Sequence, residues 1–176
     1  MKNCRRSSLC SFVLSALTVS IVSLSQASPA QAASEPVPFK AQMTAYDQIS
    51  VDPINCPVPP HYASTILGTG VGTQVGRFTA NMHDCFTPAG PGLFVFQNGV
   101  FTLTAADGSE LHGTYSGQLV ATATTNQDAI FELDGTYNIT RGTKRFQSAT
   151  GSGVLAGTDN ILTGAVAVSL TGTINF

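Results

Sequence analysis

The sequence has little charge and no concentration of positive charge. Asp, Glu, Lys and Arg make up 10% of its 176 residues, and the formal net charge is −2. A chain without a basic cluster has little with which to attract phosphate groups. Nucleic acids and anionic membrane surfaces are therefore not expected as partners.

Long hydrophobic runs and nucleotide-binding motifs are missing as well. After residue 24 no apolar segment approaches the ~20 residues that a helix needs to cross a bilayer. The chain contains no Gly-x-Ser-x-Gly elbow, phosphate-binding loop or dinucleotide fingerprint. Its three histidines, His61, His83 and His112, follow no metal-binding spacing. We therefore predict neither a cofactor nor a metal.

The N-terminal residues have the pattern of a secretory signal peptide. Lys2 and two arginines precede an apolar stretch over residues 9–24, and Ala30-Gln31-Ala32 forms an A-x-A cleavage site. We predict residues 1–33 as a cleaved signal peptide and a secreted or periplasmic protein with no membrane span after processing. The remaining chain keeps five of the eight basic residues and all ten acids, a net charge of −5.

Only two cysteines, Cys56 and Cys85, remain after the predicted cleavage. An even number of cysteines in an oxidising compartment predicts a disulfide bond. Their spacing is not C-x-x-C, and two cysteines alone cannot complete a structural zinc site. We therefore predict a structural Cys56–Cys85 disulfide.

The mature chain alternates apolar and polar residues in most of its length. Residues 39–45, 77–83, 110–123 and 131–139 have this two-residue period, which is typical of half-buried strands. Asn98-Gly99 predicts a tight hairpin turn, and Asp159-Asn160 predicts another. We predict a flexible tail over residues 34–38 and a single domain over residues 39–176.

About eight strands joined by short connections predict an all-β fold. An eight-stranded antiparallel up-and-down β-barrel is the favoured architecture, because closure removes both sheet edges. A two-sheet β-sandwich is the alternative. Between two of the strands, Phe146 is expected to plug a barrel end and Arg145 to hydrogen-bond nearby carbonyl groups.

Residues 135–153, Gly-Thr-Tyr-Asn-Ile-Thr-Arg-Gly-Thr-Lys-Arg-Phe-Gln-Ser-Ala-Thr-Gly-Ser-Gly, resemble the allene oxide cyclase-like and dirigent-like barrels. Residues 76–79, 101–108 and 113–117 add further matches in the same order. Arg141 and Lys144 stand where the family pattern has glycines. The resemblance implies an eight-stranded barrel with an apolar lumen. It also implies possible isomerase or cyclase activity on a reactive apolar intermediate, as in plant members. Exported bacterial members with this pattern are mostly of unassigned function, and no catalytic residue can be carried over.

Candidate lumen residues are the polar side chains on predicted strands. His83-Asp84 is suggestive as an imidazole beside a carboxylate, but neighbours on a strand point to opposite faces. Glu110 and His112 share a face that an exposed polar surface also explains. Five residues are predicted to line a ligand-binding lumen: Arg77, Asn81, His83, Tyr115 and Tyr137.

Three functions remain open from the sequence. The first is a binding module that holds a small apolar molecule in the lumen. The second is an isomerase or cyclase, which would require at least one polar group inside the lumen. The third is a structural surface protein with a filled barrel and an exposed apolar patch. Homo-oligomers are compatible with this architecture, and the sequence determines no oligomeric state.

Overall fold

A computed structural model describes residues 35–176 of the chain. The predicted signal peptide and its cleavage site lie outside the described residues. Eight antiparallel strands close into a barrel in sequence order, β1-β2-β3-β4-β5-β6-β7-β8, and β8 pairs back onto β1. The bounds are β1 Val37–Val51, β2 Tyr62–Gly72, β3 Gly76–Gly90, β4 Leu93–Ala105, β5 Glu110–Thr124, β6 Ala129–Gly142, β7 Thr150–Asn160 and β8 Ala165–Asn175. The predicted up-and-down barrel is confirmed, and the sandwich alternative is wrong.

The core of the described chain lies inside the barrel. Alternate residues of each strand are buried, as in β3, where Phe78, Ala80 and Met82 are buried and Thr79 and Asn81 are exposed. This follows from the two-residue period of strands, which sends successive side chains to opposite faces. Within residues 35–176 no helix is long and apolar enough to cross a membrane.

One end of the barrel, here called the plugged end, is closed by the β6–β7 connection. A short 3₁₀ helix, Lys144–Phe146, places the Phe146 side chain at 1% exposure. The Arg145 guanidinium donates hydrogen bonds to the carbonyl oxygens of Gln74 (2.7 Å) and Val75 (3.2 Å). It also pairs with Asp107 at 2.8 Å. The structural roles predicted for Phe146 and Arg145 are therefore confirmed.

The opposite end, here called the open end, carries the longest connection of the described chain, residues 52–61 between β1 and β2. Cys56 in this connection forms a disulfide bond with Cys85 of β3, as predicted. The bond ties the connection to the barrel wall. The ring of Tyr62, where β2 begins, stacks on Phe86 with centroids 5.2 Å apart.

The structure corrects three boundary predictions. Asn98-Gly99 is not a hairpin turn, because β4 continues through it with a register shift between Phe96 and Gly99. The positive φ of Asn98, 57°, is absorbed by this bulge. Asp159-Asn160 ends β7 rather than forming the turn, which follows over residues 161–164. The predicted tail is shorter, since Val37 and Pro38 already pair with β8.

Candidate functional site at the open end of the lumen

A cavity of about 40 Å³ lies inside the open end of the barrel. Eleven of its lining side chains are apolar and five are polar. Ile49 and Ile161 belong to its outer edge, and Ile49 is 42% exposed, so the cavity lies next to the protein surface. The lining residues are Asp47, Ile49, Ser64, Ile66, Met82, Asp84, Phe86, Phe94, Phe96, Tyr115, Leu119, Leu133, Leu155, Asp159, Ile161 and Val168.

Three aspartates from different strands converge on this cavity. Asp47 of β1, Asp84 of β3 and Asp159 of β7 are only 6%, 4% and 4% exposed. Ser64 donates a hydrogen bond to Asp47 (2.5 Å), and the Tyr115 hydroxyl donates one to Asp84 (2.7 Å). The carboxyl groups of Asp47 and Asp159 lie close enough for the charge of Asp47 to act on Asp159. The site is therefore a buried carboxyl cluster in an otherwise apolar lumen.

Burial makes these carboxyl groups hold protons at unusually high pH. Desolvation raises the pKa of Asp84 to about 7, against the Tyr115 hydrogen bond, which lowers it. Desolvation, together with the charges of Asp47 and Asp84, raises the pKa of Asp159 to about 7. The pKa of Asp47 is also raised by burial, with its hydrogen bonds opposing the shift. Carboxyls with a pKa near neutrality can give or take protons at physiological pH.

The β4 bulge positions Tyr115 for its contact with Asp84. Gly99 faces Tyr115 across the β4–β5 pair, and a Cβ at Gly99 would lie 2.5 Å from the Tyr115 carbonyl oxygen and 2.7 Å from its ring. Only a glycine allows the tyrosine this close to the neighbouring strand. The ring also packs against Phe96, with centroids 5.8 Å apart.

The structure divides the five predicted lumen residues into two groups. Tyr115 and Tyr137 are buried inside the barrel, and Tyr115 belongs to the cavity. Arg77, Asn81 and His83 lie on the outer face of β3, so placing them in the lumen was wrong. The physical reason is the alternation of β3, whose inner face carries Phe78, Ala80, Met82, Asp84 and Phe86.

Sequence reasoning missed Asp47 and Asp159 as lumen residues. Asp47 lies beyond residue 45, where the first strand was expected to end, and Asp159 was assigned to a turn. A signal was present nevertheless. Asp47 continues the odd-numbered inner series of β1, and Asp159 continues the inner series through Leu155 and Gly157. Extending the alternation to its last member would have placed both carboxyls inside.

Tyr137 differs from Tyr115 because its buried hydroxyl has no hydrogen-bond partner among the described residues. The hydroxyl lies over the backbone of β7 and β8, where a Cβ at Gly153 or Gly172 would come within 2.7 Å of it. Desolvation raises the pKa of Tyr137 to about 12. This residue therefore fills space near the plugged half of the barrel without a polar role in the cluster.

We expect Tyr115→Phe to destabilise the protein and Tyr137→Phe not to. Tyr115→Phe removes the donor to a buried carboxyl and should lower the free energy of unfolding by about 1–3 kcal/mol. Tyr137→Phe removes an unsatisfied buried hydroxyl and should leave stability unchanged or raise it by about 1 kcal/mol. Urea unfolding of both variants at pH 7 measures the difference. Equal losses in the two variants would contradict these hydroxyl assignments.

No protein-family model matches this chain, and no curated protein sequence matches it. In residues 35–176 no group of three His, Cys, Asp or Glu side chains is arranged to hold a metal ion. By its fold the protein is an antiparallel up-and-down β-barrel. A cavity lined in part by carboxyl groups lies at one end of the barrel. The resemblance to allene oxide cyclase-like barrels stays a prediction.

Proposed function

We propose that this protein is an exported β-barrel that binds a small apolar molecule at the open end of its lumen. The observation that carries the proposal is the cavity, where eleven apolar side chains surround a few converging polar groups. This combination is characteristic of small-molecule sites, as are polar residues with shifted pKa values. Export rests on the predicted signal peptide. Protein recovered outside the cytoplasm should then begin at Ser34.

The size of the cavity limits what binds without rearrangement. A volume of about 40 Å³ exceeds the ~10–15 Å³ that one water occupies, but it is far below the ~300 Å³ of a typical ligand pocket. A ligand would therefore insert one small group and displace flexible side chains near the rim. Met82 lines the cavity two residues deeper than Asp84, and its three rotatable bonds let it adapt to a group inserted there.

Thermal shift with hexanol, cyclohexanol and octanol tests the proposal. Binding to the folded state raises the melting temperature, and the stabilisation grows with the logarithm of 1 plus the ratio of ligand concentration to Kd. Leu133→Ala enlarges the cavity and should strengthen the response, because an apolar cavity admits apolar guests. Leu67→Ala is the control, since Leu67 is 52% exposed on the outer face of β2 and its truncation leaves no buried cavity. If neither the unmodified protein nor Leu133→Ala responds, or if Leu67→Ala strengthens the response as much as Leu133→Ala does, the proposal fails.

A second candidate is an isomerase or cyclase acting on a reactive apolar intermediate. Asp84 favours it, because a carboxyl that is protonated near neutral pH inside an apolar lumen can act as a general acid. The backbone of Lys144 supports the resemblance to the cyclase-like families. Its φ of 51° is a conformation that favours glycine, and those families carry glycine at this position.

Product stereochemistry tests the second candidate. An apolar allene oxide generated in solution is allowed to cyclise with and without the protein, and the enantiomeric excess of the product is measured. A cyclase should produce an excess that Asp84→Asn reduces and that Asp134→Asn, on the outer face of β6, leaves unchanged. A racemic product in the presence of the protein would exclude cyclisation of that substrate class.

A further inference from the structure

The carboxyl cluster has an apolar collar directly outside it. Two residues further toward the open end, Asp47 is followed by Ile49, Asp84 by Phe86 and Asp159 by Ile161, the last in the turn after β7. All six side chains line the cavity. A molecule that enters from the open end would therefore pass apolar contacts before it reaches the carboxyl groups.

The cavity lining has more hydrogen-bond acceptors than hydroxyl donors. Its lining contains only two hydroxyl donors, Ser64 and Tyr115, and both are already used on Asp47 and Asp84. Oδ1 of Asp159 is buried and has no hydrogen-bond partner among the described residues. Because buried polar atoms are nearly always partnered in folded proteins, this oxygen is an acceptor without a donor.

The lining also contains no positive charge. No Lys, Arg or His is among the described residues that surround the cavity, although Asp47, Asp84 and Asp159 all face it. A buried carboxylate without a nearby cation is strongly disfavoured. Without a ligand, the cluster meets this cost by holding protons. A ligand that brings both hydrogen-bond donors and positive charge would replace those protons.

We propose that the open end of the lumen binds an apolar amine, with its ammonium group among Asp47, Asp84 and Asp159 and its hydrocarbon part against Ile49, Phe86 and Ile161. The proposal rests on the proposed function and names its ligand class. An ammonium group supplies three donors, a hydroxyl supplies one, and a carboxylate supplies none. The cavity of about 40 Å³ has room for such a head group, while the chain extends along the collar.

The proton balance of binding follows from the same geometry. The alkylammonium ion is already charged at neutral pH, so its arrival favours the ionised form of the carboxyls around it. Protons held by the cluster are released to solvent as the amine binds. Acidification should weaken amine binding, because protons and the ammonium group compete for the same oxygens.

Three ligands with the same hydrocarbon part separate this inference from the proposed function. Hexylamine, hexanol and hexanoate are titrated into the full mature protein by calorimetry at pH 7.5 in phosphate and in HEPES. We expect hexylamine to bind about tenfold more tightly than hexanol, since hydrogen bonds to charged groups exceed those to neutral ones by about that factor. Hexanoate should bind most weakly. Net proton release should appear as a buffer-dependent heat for hexylamine alone.

Two substitutions of the same chemistry provide the controls. Asp159→Asn should lower the affinity for hexylamine about tenfold and change the affinity for hexanol by less than about twofold. Asp134→Asn removes an equal charge from the outer face and should change neither. Far-UV circular dichroism checks the fold of each variant, and Asp84→Asn replaces Asp159→Asn if the latter does not fold.

The outcomes are distinguishable. If hexanol binds and hexylamine binds no more tightly, the amine inference is overturned and the proposed function stands. If Asp134→Asn weakens hexylamine as much as Asp159→Asn does, the amine is held by surface charge and the inference is again overturned. If none of the three ligands binds, the proposed function fails together with the inference.

Discussion

Lowering the pH from 8 to 5 should stabilise this protein by several kcal/mol. The pKa values of Asp84 and Asp159 are raised to about 7 in the folded state, whereas the ordinary value is 3.8. Between these pH values the folded state binds more protons than the unfolded state, so stability falls as pH rises from about 4 to about 7. Each pKa unit corresponds to about 1.4 kcal/mol, which limits the effect to about 4 kcal/mol for each carboxyl.

This pH dependence of stability is opposite to that expected from a carboxylate whose ionised form is stabilised by hydrogen bonds. Asp52 and Asp107 have lowered pKa values because of hydrogen bonds from Asn55 and from the Ser109 backbone, so their contribution is lost in acid. Stability should therefore pass through a maximum near pH 4–5 rather than decline steadily below neutrality. Urea unfolding at half-unit steps from pH 3.5 to 8.5 measures this curve.

Substitution of single aspartates by asparagine identifies the carboxyl groups that cause this pH dependence of stability. Asp84→Asn cannot ionise and still accepts from Tyr115, so the variant should match the unmodified protein at pH 5 and exceed its stability at pH 8. Asp134→Asn on the outer face should keep the original curve. A pH profile of Asp84→Asn that coincides with that of the unmodified protein would show that Asp84 does not cause the effect.

Removing the Cys56–Cys85 disulfide should cost about 3–4 kcal/mol of unfolding free energy. The two cysteines are separated by 29 residues, and a cross-link over a loop of this length restricts the unfolded chain by about that amount in the chain-entropy model. The measurement is urea unfolding of Cys56→Ala/Cys85→Ala against the oxidised protein. Amide exchange over residues 52–61 should also become faster, because Cys56 ties this connection to β3.

Reduction supplies the control for the disulfide prediction. Dithiothreitol should move the unfolding midpoint of the unmodified protein toward that of the double alanine variant and leave the variant itself unchanged. If the reductant shifts both proteins equally, its effect does not come from this bond. If reduction leaves the midpoint of the unmodified protein in place, the predicted contribution is wrong.

The placement of the candidate site shows how far the sequence could be used. The inner position of Tyr115 followed from the alternation of its strand, and the outer positions of Arg77 and Asn81 follow from the same rule once Phe78 and Ala80 are taken as inner residues. Asp159 was assigned to a turn, because Asp-Asn is a common turn pair and this local preference outweighed the alternation of the strand. Pairing with β6 and β8 keeps Asp159 in the strand instead.

Asn98-Gly99 illustrates the same limit in the opposite direction. The dipeptide suits a tight turn because both residues tolerate positive φ, and only Asn98 takes that conformation here. Within the barrel, β4 pairs with β3 and β5 on both sides of the dipeptide, so a bulge satisfies the local preference without reversing the chain. The pairing of β4 with β3 and β5 therefore decided between a turn and a bulge at Asn98-Gly99.

The sequence by itself determined the all-β class, the disulfide and the plugged end, and it favoured the closed barrel over a sandwich. Alternation, short connections and a single cysteine pair after residue 33 are local or countable features. The tertiary structure alone decided that Asp47, Asp84 and Asp159 meet. They are 37 and 75 positions apart along the chain, and only the closure of β8 onto β1 brings β7 near β1. Their shared burial, and with it their affinity for protons, is a property of the closed barrel and of no single strand.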